Sequence, residues 1–155
     1  MEDTLAGIKA FFEAQLGAEL VAIGTERGVT VPAWKLLDTA ELHDRQYPAI
    51  EILARTIEYD YGASENEPFL QPSELHGVSV VVRQAGSESK DVQNDLLRYA
   101  EGIRRVTNDD ETYGDRFNWV RLVSMNFSAM RSERKLVLQT MSTDLRVRVI
   151  RETAG

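Results

Sequence analysis

Two serine–lysine pairs are the residues of this sequence that come closest to a catalytic motif. Ser87 and Lys90 match the S-x-x-K spacing in which a lysine activates a serine nucleophile for acyl transfer. The same spacing recurs at Ser132 and Lys135, and the companion S-D-N and K-T-G elements are absent. The spacing is therefore a weak indication of a hydrolase, and Ser87 is predicted instead to cap a helix.

Metal binding is the second chemistry that the residue types suggest. In DDETYG, residues 109–114, acidic residues and a glycine occupy the first, third and sixth positions of a calcium loop, but Val120 stands where the bidentate glutamate is needed. His43 and His76 show no metal-ligand spacing, and no cysteine is present for thiol chemistry or disulfides. We expect no metal, no cofactor and no catalytic residue, hence a protein that is not an enzyme.

Length and composition indicate one globular domain over residues 1–155, with 43% hydrophobic and 28% charged residues. The longest uncharged run, residues 122–130, is much shorter than the about 18 residues that a membrane span needs. The opening MEDTLAGIKAFFEAQL carries acids where a signal peptide carries bases. We therefore expect no membrane partner and a reducing, aqueous compartment.

Charge is distributed unevenly along the chain, whose formal net charge is −7. Residues 1–75 hold 14 acidic and 5 basic residues, whereas residues 76–155 hold 11 acidic and 13 basic ones. The acidic excess opposes binding to nucleic acid, because phosphates would be repelled. It can serve solubility alone, or it can let copies of the protein dock acidic surface to basic surface.

Hydrophobic spacing predicts two amphipathic helices. The first starts at a cap on Asp3 or Thr4, ends at Gly28, and carries one apolar face: Leu5, Ile8, Phe12, Leu16, Leu20 and Ile23. The second starts near Ser87 or Ser89, stops before Asn108, and carries Val92, Leu96, Tyr99, Ile103 and Val106. Phe11 and Leu97 lie beside these faces, so each is either a further core residue or part of a subunit interface.

Alternating segments predict the strands, at residues 49–56, 76–84, 118–128 and 135–152. A short helical turn is expected near residues 34–37, a long acidic loop at 59–74, and a polar link at 129–134. The last strand is long, so a bulge is expected near residues 142–144. The fold class is thus α/β in the broad sense (α+β): a mixed, largely antiparallel sheet of about four strands with two main helices, in the order α-β-β-α-β-β.

The third strand is predicted to place Trp119, Val123, Met125 and Phe127 on one face, interrupted by Arg121. In the last strand Leu145, Val147 and Val149 alternate with arginines. Arg146, Arg148 and Arg151, together with Arg121, are therefore expected on the outer face of the sheet. Such arginines either bind acidic residues of a partner or protect a solvated strand face.

Three segments taken in order resemble the tail terminator, or tail completion, proteins of long-tailed bacteriophages. They are YPAIEIL, then residues 76–128, and then LVLQTMSTDLRVRVIRE. The shared features are an x-Pro-Ala entry into the first strand, a V-x-V strand, a helix of L-x-x-Y-x-x-x-I-R pattern, and a hydrophobic closing hairpin. The resemblance spans residues 47–151.

The resemblance implies a structural virion protein, located in the tail or neck and assembled in the host cytoplasm. It implies a self-associated ring, usually a hexamer, that caps the tail tube, ends tube polymerisation and meets the head-side connector or neck protein. DNA would pass through the channel without specific binding. Because a closed ring joins two unlike patches, we expect the interface to draw on Arg121, Arg146, Arg148, Arg151, Asp60, Glu65, Glu67, Phe69, Phe11 and Leu97.

Three other functions agree with parts of the same sequence. A neck or head-completion protein of similar fold would differ from a terminator only in the neighbour that it binds. A small serine hydrolase would use Ser87 and Lys90. A nucleic-acid binder would use the arginines, against the net charge of the chain.

Overall fold

The computed structural model describes residues 1–39, 46–60 and 73–150. Within these ranges the chain forms two helices and six strands. In chain order they are α1 (Glu2–Arg27), β1 (Leu36–Thr39), β2 (Ala49–Asp60), β3 (Ser73–Gly86), α2 (Ser89–Asp109), β4 (Trp119–Phe127), β5 (Arg131–Glu133) and β6 (Leu136–Ile150).

The strands form one mixed sheet in the order β1-β2-β3-β6-β4, with β5 paired to the first residues of β6. Only β1 and β2 run parallel, and the other described pairs are antiparallel. The predicted class, α+β with a largely antiparallel sheet, is confirmed. The fourteen-residue β3 lies at the centre between β2 and β6 and provides the longest ladder of the sheet.

Two strands had no clear signal in the sequence, which accounts for the difference between about four expected strands and the six observed. β1 replaces the predicted helical turn, and its four residues are held by parallel pairing with β2, a contact that no local pattern reveals. β5 lies in the predicted polar link. Arg134 and Lys135, with φ of 49° and 66°, form the two-residue turn that folds β5 onto β6.

Both helices pack on the same face of the sheet and bury a single core. Ile8, Phe12 and Leu16 of α1 and Leu96, Tyr99 and Ile103 of α2 are fully buried against the strands. The sheet contributes Ile50, Ile52, Val78, Val80, Val82, Val120, Met141, Leu145 and Val147. We call the opposite side of the sheet, which neither helix covers, the helix-free face.

The ends of the helices agree with the sequence only in part. Gly28 ends α1 in the left-handed conformation, φ 66°, as predicted. At the start, Met1 occupies the N-cap without a side-chain hydrogen bond, so the predicted cap on Asp3 or Thr4 is wrong. The N-cap of α2 is Glu88, also without a side-chain bond, and the predicted cap on Ser87 is wrong as well.

A β-bulge in β4 changes which of its residues face the core. The pairing with β6 shifts between Leu122 and Ser124, so that Val123 is the extra residue opposite the Leu145–Asp144 step. The sequence predicted a bulge near residues 142–144 of β6, whereas the structure has the bulge on the neighbouring strand β4. Because of it, Trp119 and Arg121 share the helix-free face while Met125 and Phe127 share the helix side, and the prediction of one common face for them is wrong.

Candidate assembly surface

Three arginines and one tryptophan gather at one end of the helix-free face. Trp119 pairs with Arg148 and Arg121 pairs with Arg146 across β4 and β6. Directly opposed residues point to the same side of a sheet, so all four side chains share this face. The guanidinium of Arg121 lies 4.3 Å from the ring centroid of Trp119, a cation–π contact. We call Arg121, Arg146 and Arg148 the arginine cluster.

The arginine cluster makes no ion pair within the described residues. Arg121 and Arg146 are exposed and directly opposed, an arrangement of like charges that costs stability. The Nε atom of Arg148 is buried and has no hydrogen-bond partner in the part of the chain that the structure describes. The exposed guanidinium groups of Arg121 and Arg146 therefore have unused capacity to bind carboxylates or another anion.

The nearest acid on the same strand, Asp144, is committed to other partners. Its Oδ1 accepts a hydrogen bond from Ser79 Oγ at 2.7 Å and its Oδ2 accepts one from Ser124 Oγ at 3.1 Å. Ser79 in turn accepts a bond from Arg55 Nε at 2.9 Å. This polar row crosses β2, β3, β6 and β4, and it borders a groove of about 400 Å³ that Arg146 also lines.

On the helix side the charges are largely paired with one another. Arg105 of α2 binds Glu19, Glu26 and Glu101, and Arg27 binds Glu101 at 2.5 Å, which ties the two helices together. The hydrogen bond from Arg105 holds the pKa of Glu26 below its usual value, and bonds first from Arg27 and then from Arg105 lower the pKa of Glu101. Arg27 and Arg105 therefore have their ion-pair partners within one subunit, in contrast to the arginine cluster.

A hydroxyl, an imidazole and a carboxylate meet inside the core. Thr4 Oγ1 lies 2.6 Å from His76 Nδ1, and His76 Nε2 lies 2.7 Å from Glu74 Oε2. These are the groups of a catalytic triad, but all three residues are buried, so no substrate reaches Thr4. The arrangement instead fastens the first turn of α1 to β3. It occupies both ring nitrogens of His76.

The DDETYG segment is an Asx-type turn between α2 and β4. Asp110 accepts hydrogen bonds from the backbone of Thr112 and Gly114 and from the Thr112 hydroxyl. These bonds, that of the Thr112 hydroxyl first, lower the pKa of Asp110. The turn brings Tyr113 into the core, where its hydroxyl bonds Thr107 and burial raises its pKa.

Tyr113 also decides the role of Phe11. The two rings stack with their centroids 4.1 Å apart, and Phe11 is only 4% exposed. Of the two alternatives, core or interface, the structure places Phe11 in the core, which corrects its assignment to the interface. The ring has no surface left for a partner. Leu97, by contrast, is 48% exposed on α2 and remains available for a contact.

The other predicted interface residues are only partly described. Glu65, Glu67, Phe69 and Arg151 lie outside the described residues, as does the side chain of Asp60, whose backbone ends β2. Arg121, Arg146 and Arg148 are brought together, as the alternation in β6 predicted. Regular alternation along β4 does not predict Trp119 beside them, because the bulge at Val123 separates its face from that of Met125 and Phe127.

The residues that could carry catalysis or bind a metal do not form such a site within the part of the chain that the structure describes. Ser87 and Lys90 are both exposed and make no hydrogen bond with each other. The described part of the chain holds no cluster of three or more potential metal ligands. None of the described helices is long and apolar enough to cross a bilayer.

Comparison with known proteins gives little further guidance. No protein-family model matches the sequence, and no curated protein matches it. Among solved structures, the chain is similar to a chain of the "Virion of native gene transfer agent (GTA) particle", with a TM-score of 0.28 and 11% identity. The match covers 87% of this chain and 92% of that one. A TM-score of 0.28 does not establish a shared fold, and the likeness by itself says nothing of what this chain does.

Proposed function

We propose that this chain is a structural virion protein of the tail terminator kind, and not an enzyme. It assembles into a ring, usually of six copies in the proteins it resembles, at the end of the tail tube. There it stops tube polymerisation and joins the tail to the head-side connector. The proposal rests on the sequence resemblance over residues 47–151 and on the surfaces of the folded chain.

The observation that carries the proposal is the arginine cluster without a described ionic partner. Opposed, unpaired arginines on a sheet face are unfavourable in an isolated subunit. They become favourable when a neighbour supplies carboxylates, since arginine binds carboxylates through two parallel hydrogen bonds. Because the protein has a net charge of −7, a second copy of the chain can supply such carboxylates.

A head-to-tail contact of this kind agrees with ring formation. The cluster lies on the helix-free face at the β4 side of the sheet, whereas the first half of the chain carries the acidic excess. Two unlike patches on one subunit produce a heterologous interface, which closes into a ring when the rotation permits.

Native mass spectrometry and negative-stain microscopy of the purified protein test the proposal. We expect a closed ring for the wild-type chain and its loss in Arg146→Glu, which places a carboxylate in the cluster. Arg104→Glu is the matched control, because Arg104 is exposed on α2 and distant in sequence from the cluster.

Addition of the ring to polymerising tail tube protein should shorten the tubes. A wild-type chain that stays monomeric with and without tube protein would refute the proposal. Binding to the head-side connector alone, without effect on the tube, would make the chain a neck protein instead.

A further inference from the structure

The two lateral edges of the sheet differ in a way that makes them complementary. On one side of the sheet, β4 is the last strand. On the other side, the described pairs between β1 and β2 cover residues 49–52 of β2. Residues 54–59 of β2, which we call the distal β2 edge, extend beyond these pairs. We infer that the β4 edge of one copy pairs with the distal β2 edge of a second copy, so that the sheet continues from subunit to subunit. This inference deepens the proposed function and rests on it.

The β4 edge has a bulge at Val123 but lacks two other protections that exposed edges usually carry. Natural edge strands are blunted by charges or proline, yet residues 122–130 form the longest uncharged run of the chain and contain no proline. Three of its side chains are exposed and apolar: Val123 at 59%, Phe127 at 39% and Met130 at 37%. The turn before β4 covers only the start of the edge, through the Val120 N–H bond to Glu111. Such an edge is a template for another strand.

The distal β2 edge has the properties of the incoming strand. All side chains from 54 to 59 are exposed, on both sides of the strand, although the backbone pairs with β3. Ile57 and Tyr59 are apolar and lie on the helix side of this segment. Its helix-free side carries Glu58 and also Arg55, the extra residue at a bulge in the pairing with β3.

Strand directions permit a continuous antiparallel sheet. β2, β3, β6 and β4 alternate in direction across the sheet. A second copy placed beyond β4 in the same orientation therefore presents its β2 antiparallel to β4. In the neighbour, β1 covers residues 49–52 of β2, so only the distal β2 edge can pair with β4. The neighbour is therefore displaced along the strand direction, and a sheet that closes on itself requires such a stagger.

Charge favours this heterologous pairing over a β4–β4 pair. Arg121 is the only charged residue of β4, so a second β4 strand would bring no opposite charge to this edge. In the continued sheet, Glu58 lies on the same face as Arg121, since Glu58 pairs with Leu75 and Leu75 with Arg148. The neighbour's Glu58 would thus add a carboxylate to the face of the sheet that carries the arginine cluster.

Cysteine cross-linking tests the pairing directly, because the chain contains no cysteine. Phe127 and Ile57 belong to the helix side of the sheet, whereas Asn126 and Glu58 belong to the helix-free face. Each variant, Phe127→Cys, Asn126→Cys, Ile57→Cys, Glu58→Cys and Tyr59→Cys, is purified separately, checked for an unchanged thermal midpoint, mixed in pairs and oxidised.

We expect disulfide-linked dimers when a β4 variant meets a β2 variant of the same face. Phe127→Cys should link with Ile57→Cys or Tyr59→Cys, and Asn126→Cys with Glu58→Cys. Mismatched faces, such as Phe127→Cys with Glu58→Cys, should give at least about fivefold less product, because disulfides need Cα atoms within about 7 Å and converging Cβ atoms. Each variant oxidised alone should give little disulfide-linked dimer, because the proposed interface joins two different edges of the sheet.

The possible outcomes separate this inference from the ring proposal. Equal yields for matched and mismatched faces, or no cross-links in a sample whose native mass spectrum shows a ring, would overturn the edge pairing and leave the ring. Cross-links of the expected parity in a sample of open chains without a closed ring would support the edge pairing and contradict the ring. Cross-linking of Phe127→Cys with itself would indicate a β4–β4 pair and overturn the inference.

Discussion

At the scale of single residues, the arginine cluster opposes like charges, an arrangement that the proposed assembly would relieve. Arg121 and Arg146 oppose each other across β4 and β6 without a described carboxylate between them. The one acid of β6 on this face, Asp144, is hydrogen-bonded to two serine hydroxyls instead. A side chain that destabilises the isolated subunit indicates a role outside that subunit.

Replacement of Arg146 by glutamine should separate the two roles. We expect Arg146→Gln to raise the free energy of unfolding of the dilute monomer by about 0.2–1 kcal/mol, because it removes the repulsion from Arg121. The same variant should assemble less well. Urea unfolding at low protein concentration measures the first effect, with Arg104→Gln as the control. A clear loss of monomer stability would show that Arg146 has an internal partner and would count against the assembly role.

At the scale of elements, the bulge in β4 decides which side chains reach the helix-free face. Val123 is the extra residue between two regular ladders. Before it, Trp119 and Arg121 lie with the arginines of β6, and after it Met125 and Phe127 lie on the helix side. The bulge therefore lets one short strand contribute to the arginine cluster at one end and to the helix side at the other.

Deletion of Val123 should be tolerated by the fold. Without this residue, Leu122 and Ser124 become neighbours opposite Leu145 and Asp144, and every other side chain keeps its face. We expect a cooperative unfolding transition within about 1–2 kcal/mol of the wild type. Deletion of Thr143 from β6 is the control, because a one-residue shift in a regular strand moves side chains to the wrong face. Loss of cooperative folding on deletion of Val123 would contradict the bulge.

The contact between the two helices should respond to pH through Arg105. The pKa values of Glu26 and Glu101 are lowered in the folded chain, so their contribution is present above about pH 4.5, the usual value for glutamate, and is lost as the pH falls through the lowered values. We expect the free energy of unfolding to fall as the pH drops below about 4.5, and to fall less in Arg105→Gln. Urea unfolding across this range measures the difference.

Lys9→Gln is the control for that experiment, because Lys9 is a partly exposed residue of α1 whose one ion pair among the described residues is with Glu13, at 3.9 Å. Added salt should reduce the difference between the wild type and Arg105→Gln, since the paired glutamates are near the surface. An identical pH dependence in the wild type and Arg105→Gln would show that the ion pairs do not link the helices in solution.

At the scale of the whole molecule, Leu97 is the exposed apolar residue of α2 and a candidate contact between subunits. We expect Leu97→Lys to fold with an unchanged thermal midpoint but to block ring closure, because a buried, unpaired ammonium is costly at an interface. Gln15→Lys adds the same charge to an exposed position of α1, away from Leu97, and should leave assembly intact. Native mass spectrometry measures both variants, and normal rings of Leu97→Lys would place α2 outside the interface.

Periodicity in the sequence determined the parts of this protein that depend on neighbouring residues. The apolar spacing of α1 and α2, the stop at Gly28 and the alternation of β6 each follow from local geometry, and so does the presence of Arg146 and Arg148 on one face. The α+β class follows from the order of these elements.

Only the tertiary structure decided how the remaining residues are used. Phe11 belongs to the core because a turn about one hundred residues later brings Tyr113 onto its ring. β1 exists because β2 pairs with it, and the face of Trp119 and Arg121 depends on one extra residue in the register with β6. The physical reason is the same in each case: strand register and ring stacking are set by contacts between distant segments, whereas periodicity reports only the geometry of adjacent residues.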